Sequence, residues 1–328
     1  VTGSRFHRAS AERQHVIVSL NPKAGARDGE RVVRELVGEL RGRGMETFLT
    51  TDIDEVTELA GDLHAQGLLR AVVAAGGDGT VNLVANRIPS GAPVAVFPLG
   101  TENLLARYLT LKTDPRLVAE MIADGWTGRL DAGEANGRTF LLMAGCGFDA
   151  EVVRRLDAAR TGHIHHLSYA KPILDSIRSY RYPALRVYCR TGEMGAGEWG
   201  EPIAARWAFV VNIPRYAGGL NLAPGATPTD GLLHVATFRD GSIWSAVRYL
   251  YGVALQQHAN WDDVEMSAVT GVRIEAADEG EEAPYQLDGD PGGELPLEVR
   301  VLSEQLTLLV PSKWADREGI VLPTDGAN

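Results

Sequence analysis

Gly76-Gly77-Asp78-Gly79, followed by Thr80 and Asn82, packs more chemical potential into a few residues than any other stretch of the chain. Glycines let an anion approach the backbone, and a helix starting behind them offers unpaired N–H groups and the positive end of its dipole. The order is neither G-x-G-x-x-G nor a P-loop with its lysine. A carboxylate among phosphates repels them unless a cation lies between, so Asp78 points to a nucleotide–magnesium site. The plainer reading is a tight Asp-Gly turn with Gly79 at positive φ. Asp230-Gly231 and Asp288-Gly289-Asp290 repeat the Asp-Gly pair further on. Carboxylates flanking a glycine could take the proton from an alcohol.

Elements must carry these residues. Residues 69–76 form an apolar run of the length of a strand buried on both faces, and Val81, Val84, Ala85 and Ile88 follow at helical spacing. A strand over 14–20 ends at Asn21-Pro22-Lys23-Ala24-Gly25, which cannot continue a ladder. A helix over 29–41 places Val32, Val33, Leu36 and Leu40 on one stripe; a strand over 45–51 and a helix over 53–66 follow. Residues 93–99 read as a fourth strand, leading into Gly100-Thr101-Glu102-Asn103 and another helix. Alternation of this kind predicts a parallel sheet, whose ligands gather outside the C-terminal ends of the strands. The loops at Asn21 to Gly25, Thr50-Thr51, Gly76 to Thr80 and Gly100-Thr101 all fall there. Past residue 125 the texture changes. A hairpin turning at Asn136-Gly137, helical text over 149–160, 167–180 and 242–252, and β-rich runs over 184–190, 204–212, 232–238, 269–276 and 297–309 predict a second, largely antiparallel domain.

A length of 328 residues suits two domains, and a hydrophobic share of 45% fills two cores. No run approaches the roughly 18–20 apolar residues of a membrane span, and the start lacks the layout of a secretory signal. Cys146 and Cys189 are the only cysteines, which excludes a disulfide framework. The expectation is a cytoplasmic protein. A net charge of −11 argues against a nucleic-acid partner, while a local face could still make transient contact with a membrane surface. Oligomeric state, homodimer or otherwise, is not written in these residues.

Taken together, these stretches resemble the diacylglycerol kinase catalytic-domain family, and within it the soluble bacterial lipid kinases, over about residues 16–309. That family includes sphingosine and ceramide kinases and is related to NAD kinase and 6-phosphofructokinase through the Gly-Gly-Asp-Gly loop. The resemblance implies an α/β + β architecture. A three-layer, Rossmann-like nucleotide domain would cover 13–138, completed by 302–328. A C-terminal antiparallel β-sandwich for the lipid would cover 139–301, with a cleft between the two. It implies ATP and magnesium as cofactors and a lipid with a free hydroxyl as acceptor. The matching nucleotide positions are Asn21, Gly25, Thr50 (or Thr51), Gly76, Gly77, Asp78, Gly79, Thr80, Asn82 and Thr101. The family motif usually continues with an Asp after Asn103, where this chain has Leu104. Of a three-carboxylate magnesium network, Asp78 and Asp131 are therefore matched and the third is missing. Residues 223–233 resemble a segment that holds a structural magnesium, which assigns the Asp230 side chain and the carbonyls of Thr227 and Leu232. Asp288-Gly289-Asp290 falls where the family carries Asp-Gly-Glu, the source of the base that deprotonates the lipid hydroxyl. Asp290 is one methylene shorter than Glu, and the base stays open between Asp288 and Asp290.

The reading is an ATP-dependent kinase of a lipid such as diacylglycerol. A kinase of a soluble acceptor such as NAD, and a relative that binds nucleotide or lipid without turnover, are its alternatives. His163, His165 and His166 read as loop histidines, since no spaced partner accompanies them as zinc requires. The segment 161–181, with Arg178 and Arg181, reads as a packed helix with a snorkelling basic edge.

Overall fold

The computed structural model describes residues 5–22, 24, 28–158, 180–192, 197–278 and 280–322. The chain divides into two compact units, Val1–Leu130 with Glu304–Asn328, and Asp131–Ser303.

The first unit contains β1 (Phe6–Arg8), β2 (His15–Leu20), α1 (Gly29–Gly42), β3 (Glu46–Thr50), α2 (Ile53–Ala65), β4 (Leu69–Gly76), α3 (Asp78–Arg87), β5 (Val94–Pro98), α4 (Leu104–Tyr108) and α5 (Pro115–Asp124). Strands β3, β2, β4 and β5 lie side by side in that order, all parallel. Period-two alternation sorts β2: Val16, Val18 and Leu20 face the helices α1 and α5, and Ile17 faces the opposite layer. β4 is buried along its whole length, as its unbroken apolar run requires. Its end at Gly76 delivers the glycine loop to the C-terminal edge of the sheet, where α3 begins. Leu308 pairs in parallel with Val94, and the buried Trp314 packs against Phe6 and Tyr108, so residues from 304 onward complete this unit.

The strand β6 (Trp126–Ala135) leads into the second unit and pairs with β7 (Arg138–Phe140) through Asn136 and Gly137, both at positive φ. Then come β8 (Met143–Gly147), α6 (Phe148–Ala158), β9 (Leu185–Arg190), β10 (Ile203–Ala205), β11 (Trp207–Val211), β12 (Arg215–Tyr216), β13 (Leu220–Asn221) and β14 (Leu233–Phe238). The helix Ile243–Ala254 precedes β15 (Val264–Val269), β16 (Gly271–Ala276), β17 (Pro284–Leu287), β18 (Asp290–Glu294) and β19 (Leu297–Leu309). Two antiparallel sheets result, β10-β9-β16-β19 and β15-β14-β11-β8-β17-β18. Val187, Val272, Ile274 and Val299 of one meet Ala144, Cys146, Val210 and Val235 of the other in a sandwich core.

The run 204–212, expected as one strand, is two, and the run 269–276 is the strand β16 with its first residue, Val269, belonging to β15. The run 204–212 breaks at Arg206, whose N–H donates to the Phe238 carbonyl at 2.8 Å; the run 269–276 breaks at Thr270, whose N–H donates to the Arg190 carbonyl at 2.9 Å. At both corners the chain crosses from one sheet to the other, an event that unbroken hydrophobic text does not announce. The histidines 163, 165 and 166 and the helix expected over 167–180, save residue 180, lie outside the described residues.

Candidate active site

Four loops of the first unit gather at the C-terminal edge of its sheet. Asn21 donates its side-chain amide to Thr80 Oγ1 at 2.9 Å, and its N–H bonds the Ala75 carbonyl, so the first loop is tied to the glycine loop. Gly25 lies outside the described residues. Gly76 has to be glycine: a Cβ there would sit 2.2 Å from Thr80 Oγ1. Gly77 and Gly100 bring the backbones of two loops together, since a Cβ on Gly100 would lie 2.6 Å from Gly77 Cα. Gly79 and Thr101 are exposed, Asn82 is half-buried and accepts from the Asn86 side chain, and Thr50 turns its hydroxyl to Glu55 and accepts from Asp52 N–H.

Asp78 opens α3 and also reaches across to α4. Its two carboxylate oxygens accept the N–H groups of Leu104 at 2.8 Å and Leu105 at 3.1 Å, so it caps a helix that has no side-chain cap of its own. Burial raises the Asp78 carboxyl above its ordinary value, the amide bonds from Leu104 and Leu105 oppose this, and nearby Glu102 adds to it. Leu104, standing where a third carboxylate was expected, contributes its backbone N–H to Asp78 instead.

In the second unit Asp131, Asp230 and Asp288 share one hydrogen-bonded framework. Asp288 and Gly289 have φ of 51° and 87° and form the two-residue loop of the β17–β18 hairpin, with Leu287 opposite Asp290. The Asp288 carboxylate accepts three successive N–H groups, from Leu141 at 2.7 Å, Leu142 at 2.8 Å and Met143 at 3.0 Å. The carboxylate that a plain turn would leave in water is thus locked into the segment entering β8. Asp290, two residues on, is exposed. Asp131 accepts the Gly231 N–H at 2.7 Å, and its own N–H bonds the Pro228 carbonyl, which fixes the turn that carries Asp230. Asp230 accepts from Leu232 N–H at 2.9 Å and lies 3.2 Å from His234 Nε2. Thr227 shares a hydroxyl bond with Thr229 at 3.0 Å.

Two residues that sequence reasoning passed over join this framework. Asn212, buried at the end of β11, donates to the carbonyls of Asp131 at 2.8 Å and Leu141 at 2.7 Å, linking the Asp230 turn to the anchor of Asp288. Asp149, buried in the first turn of α6, accepts from Gln286 Nε2 at 3.0 Å and from the Tyr216 hydroxyl, while Gln286 Oε1 accepts the Gly289 N–H at 2.7 Å. Both are single polar residues in apolar text, and only the polarity itself could have flagged them.

Burial lifts the Asp149 carboxyl above the ordinary carboxylate value, against the hydrogen bonds from Tyr216 and Gln286. The folded state therefore holds this proton more tightly than the unfolded chain. Stability must fall as pH rises from the ordinary value, about 3.9, through the raised folded one. Asp149→Asn, which keeps one acceptor oxygen, is expected to flatten that slope. Melting temperatures of both proteins between pH 4 and 8 test this: the gap in favour of the variant should widen with pH, and a constant gap would refute it.

Among the described residues no three His, Cys, Asp or Glu side chains converge as a metal cluster. The donors that are present, carboxylates and backbone carbonyls, are all hard oxygens, the set that suits magnesium. No helix among the described residues is long and apolar enough to cross a membrane.

A glycine–aspartate loop on a parallel sheet, followed by a β-sandwich with an anchored Asp-Gly-Asp turn, is the equipment of a phosphate-transferring enzyme. Residues 15–135 match the family model of the diacylglycerol kinase catalytic domain, and residues 143–310 match that of the YegS C-terminal NAD kinase beta sandwich-like domain. The chain belongs to the diacylglycerol kinase catalytic-domain family, and it is an ATP-dependent lipid kinase. It is similar to the diacylglycerol kinase of Mycobacterium tuberculosis (strain ATCC 25618 / H37Rv), 28% identical over 307 residues that cover 89% of this chain and 93% of that protein. The diacylglycerol kinase of Bacillus subtilis (strain 168) is 25% identical over 308 residues, covering 90% and 96%. Among solved structures, a diacylglycerol kinase from Bacillus anthracis str. Sterne aligns with a TM-score of 0.68 at 22% identity, covering 93% of this chain and 99% of that one. At that identity the likeness speaks for the fold.

Proposed function

We propose that this kinase moves the γ-phosphate of ATP to the free hydroxyl of a diacylglycerol-type lipid, with Asp290 as the general base. The observation that carries the reading is the Asp288-Gly289-Asp290 turn. Asp288 is consumed by three backbone amides, and the next carboxylate along stands exposed on the same rigid hairpin. In the proposed reaction, Asp290 accepts the hydroxyl proton as the lipid oxygen bonds to the γ-phosphorus. The bond from that phosphorus to the β-phosphate bridge breaks, and ADP leaves. Asn21, Gly76 to Thr80, Asn82 and Thr101 receive the nucleotide, with Thr50 beside them and Gly25 assigned by resemblance. Magnesium, when bound, would spread the charge of the transferring phosphate. Asp78 and Asp131 are the carboxylates assigned to it, and Asp230 with the carbonyls of Thr227 and Leu232 to a structural ion. A bilayer lipid as acceptor implies transient contact with a membrane surface.

The test is a transfer assay with ATP and magnesium against diacylglycerol, phosphatidylglycerol, sphingosine and NAD, with products read by mass. Phosphorylated diacylglycerol at one ADP per product is the expected result. Phosphorylation of NAD with no lipid product would overturn the reading.

A further inference from the structure

Gly145 stands at the centre of β8, where a glycine weakens the strand unless another group needs the space. Its neighbours across the sheet are Gln286 on β17 and Phe209 on β11. A Cβ on Gly145 would lie 2.4 Å from Asp149 Oδ2 and 2.8 Å from Gln286 Nε2. The missing side chain thus makes room for a polar pair of which Asp149 is 7% exposed and Gln286 2%.

The pair belongs to a chain of hydrogen bonds that ends on the Asp-Gly-Asp turn. Tyr216 donates its hydroxyl to Asp149 Oδ1, Gln286 Nε2 donates to Asp149 Oδ2 at 3.0 Å, and Gln286 Oε1 accepts the Gly289 N–H at 2.7 Å. With an acceptor on one side and a donor on the other, only one orientation of the Gln286 amide satisfies both. Tyr285 and Leu287 turn into the sandwich core. The register of β17 against β18 shifts between Tyr285 and Gln286, a bulge that re-aims the Gln286 side chain. Gln286 also stands opposite Pro291, which has no N–H to give. The ladder beside the loop lacks that donor, and the Gln286 side chain supplies a bond to the loop itself.

Gly289, at a φ of 87°, lies between the two carboxylates of the turn. The Asp288 side chain before it is held by the amides of residues 141–143, and Gly289 is held by Gln286. Together they set the direction in which the chain leaves for Asp290. Stability alone does not call for this arrangement, since exchanging both partners of a buried hydrogen bond for apolar groups of the same shape is close to neutral. What the polar pair adds is a fixed geometry, because a satisfied buried network rigidifies its surroundings. A misplacement of about 1 Å at a reacting group costs up to about 10²-fold in rate.

We propose that Gln286 and Asp149 are positioning residues for the base: the chain Tyr216–Asp149–Gln286 holds Gly289, and through it presents the Asp290 carboxylate to the lipid hydroxyl. The proposal rests on the assignment of Asp290 as the base, and the test separates the two. Transfer to diacylglycerol in detergent micelles is measured for Gln286→Met, Asp149→Leu, Asp149→Asn, Asp290→Asn and the double variant Gln286→Met/Asp290→Asn. Each is assayed at a temperature where its unfolding curve shows it folded. Gln286→Met keeps the length of the side chain without its amide, and should lower kcat about 10- to 100-fold with KM for ATP within about twofold of wild type. Asp149→Leu should do the same; should it not fold, Gln286→Met decides alone. Asp149→Asn can still accept from Gln286 and give an N–H to the Tyr216 oxygen, so it should restore kcat to within about threefold of wild type. In the double variant Gln286→Met should cost nothing beyond Asp290→Asn, because no base is left to position and residues that act as a unit are not additive. Wild-type kcat in Gln286→Met, or a loss that multiplies with that of Asp290→Asn, would overturn the positioning role and leave the base assignment standing. Full turnover by Asp290→Asn would overturn the base assignment, and the positioning role with it.

Discussion

Asp290→Asn is expected to lower phosphate transfer roughly 10²–10⁴-fold, the range that loss of a general base produces, with KM for ATP unchanged. The side chain is exposed, so the melting temperature should not move. Asp288→Asn makes the informative contrast. It replaces a carboxylate that accepts three backbone N–H groups with a side chain that can accept at one atom and must point N–H groups at N–H groups. We expect it to cost roughly 2–4 kcal/mol of stability, because bonds to a charged group are the strong ones and the amides left unpaired are expensive. Activity and unfolding measured on both variants separate the roles: Asp290 should change rate without stability, and Asp288 should change both. Full turnover by Asp290→Asn would remove it as the base.

Asp78→Ala should reduce kcat about 10³-fold, the scale for removing a preorganised charge from a phosphate site. It should also destabilise the chain by about 1–3 kcal/mol, because the Leu104 and Leu105 amides lose their acceptor. Asp78→Asn retains an acceptor oxygen without the charge. It should recover part of the stability, since its NH2 must face one of the two amides, and little of the rate. Comparing kcat and melting temperature across the pair checks this, and a rate that recovers together with the melting temperature would mean that Asp78 acts only as a helix cap.

The parallel-sheet unit was legible because its information is local. Strand, glycine loop and helix follow one another within 69–87, and each loop takes its place at the sheet edge from its own strand. The role of Asp78 as the cap of α4 was not legible, since it depends on Leu104, 26 residues away, offering an amide where a carboxylate was expected. In the second half the text showed an Asp-Gly-Asp turn but could not separate its two carboxylates. The distinction is made by three amides at 141–143, some 145 residues distant in sequence. The short strands β17 and β18 were missed for a related reason. Asp290–Glu294 holds two glycines, a proline and two acids, and pairing with β17 overrides a composition that reads as loop.

Strand β19 gives its first residues to the second unit and its last to the first. A ribosome adds roughly 5–20 residues per second, so residues 1–130 wait on the order of ten to thirty seconds while 131–303 are made. Throughout that interval β5 lacks the neighbour that Leu308 will bring to Val94, and the space between Phe6 and Tyr108 lacks Trp314. The contiguous second unit has all its strands earlier. Order of birth and order of completion are thus reversed: the parallel-sheet unit is the first of the two to be synthesised and the last to be finished. A gene cut after Ser303 would yield an open-edged sheet, a substrate for chaperones or aggregation, and no shortened kinase.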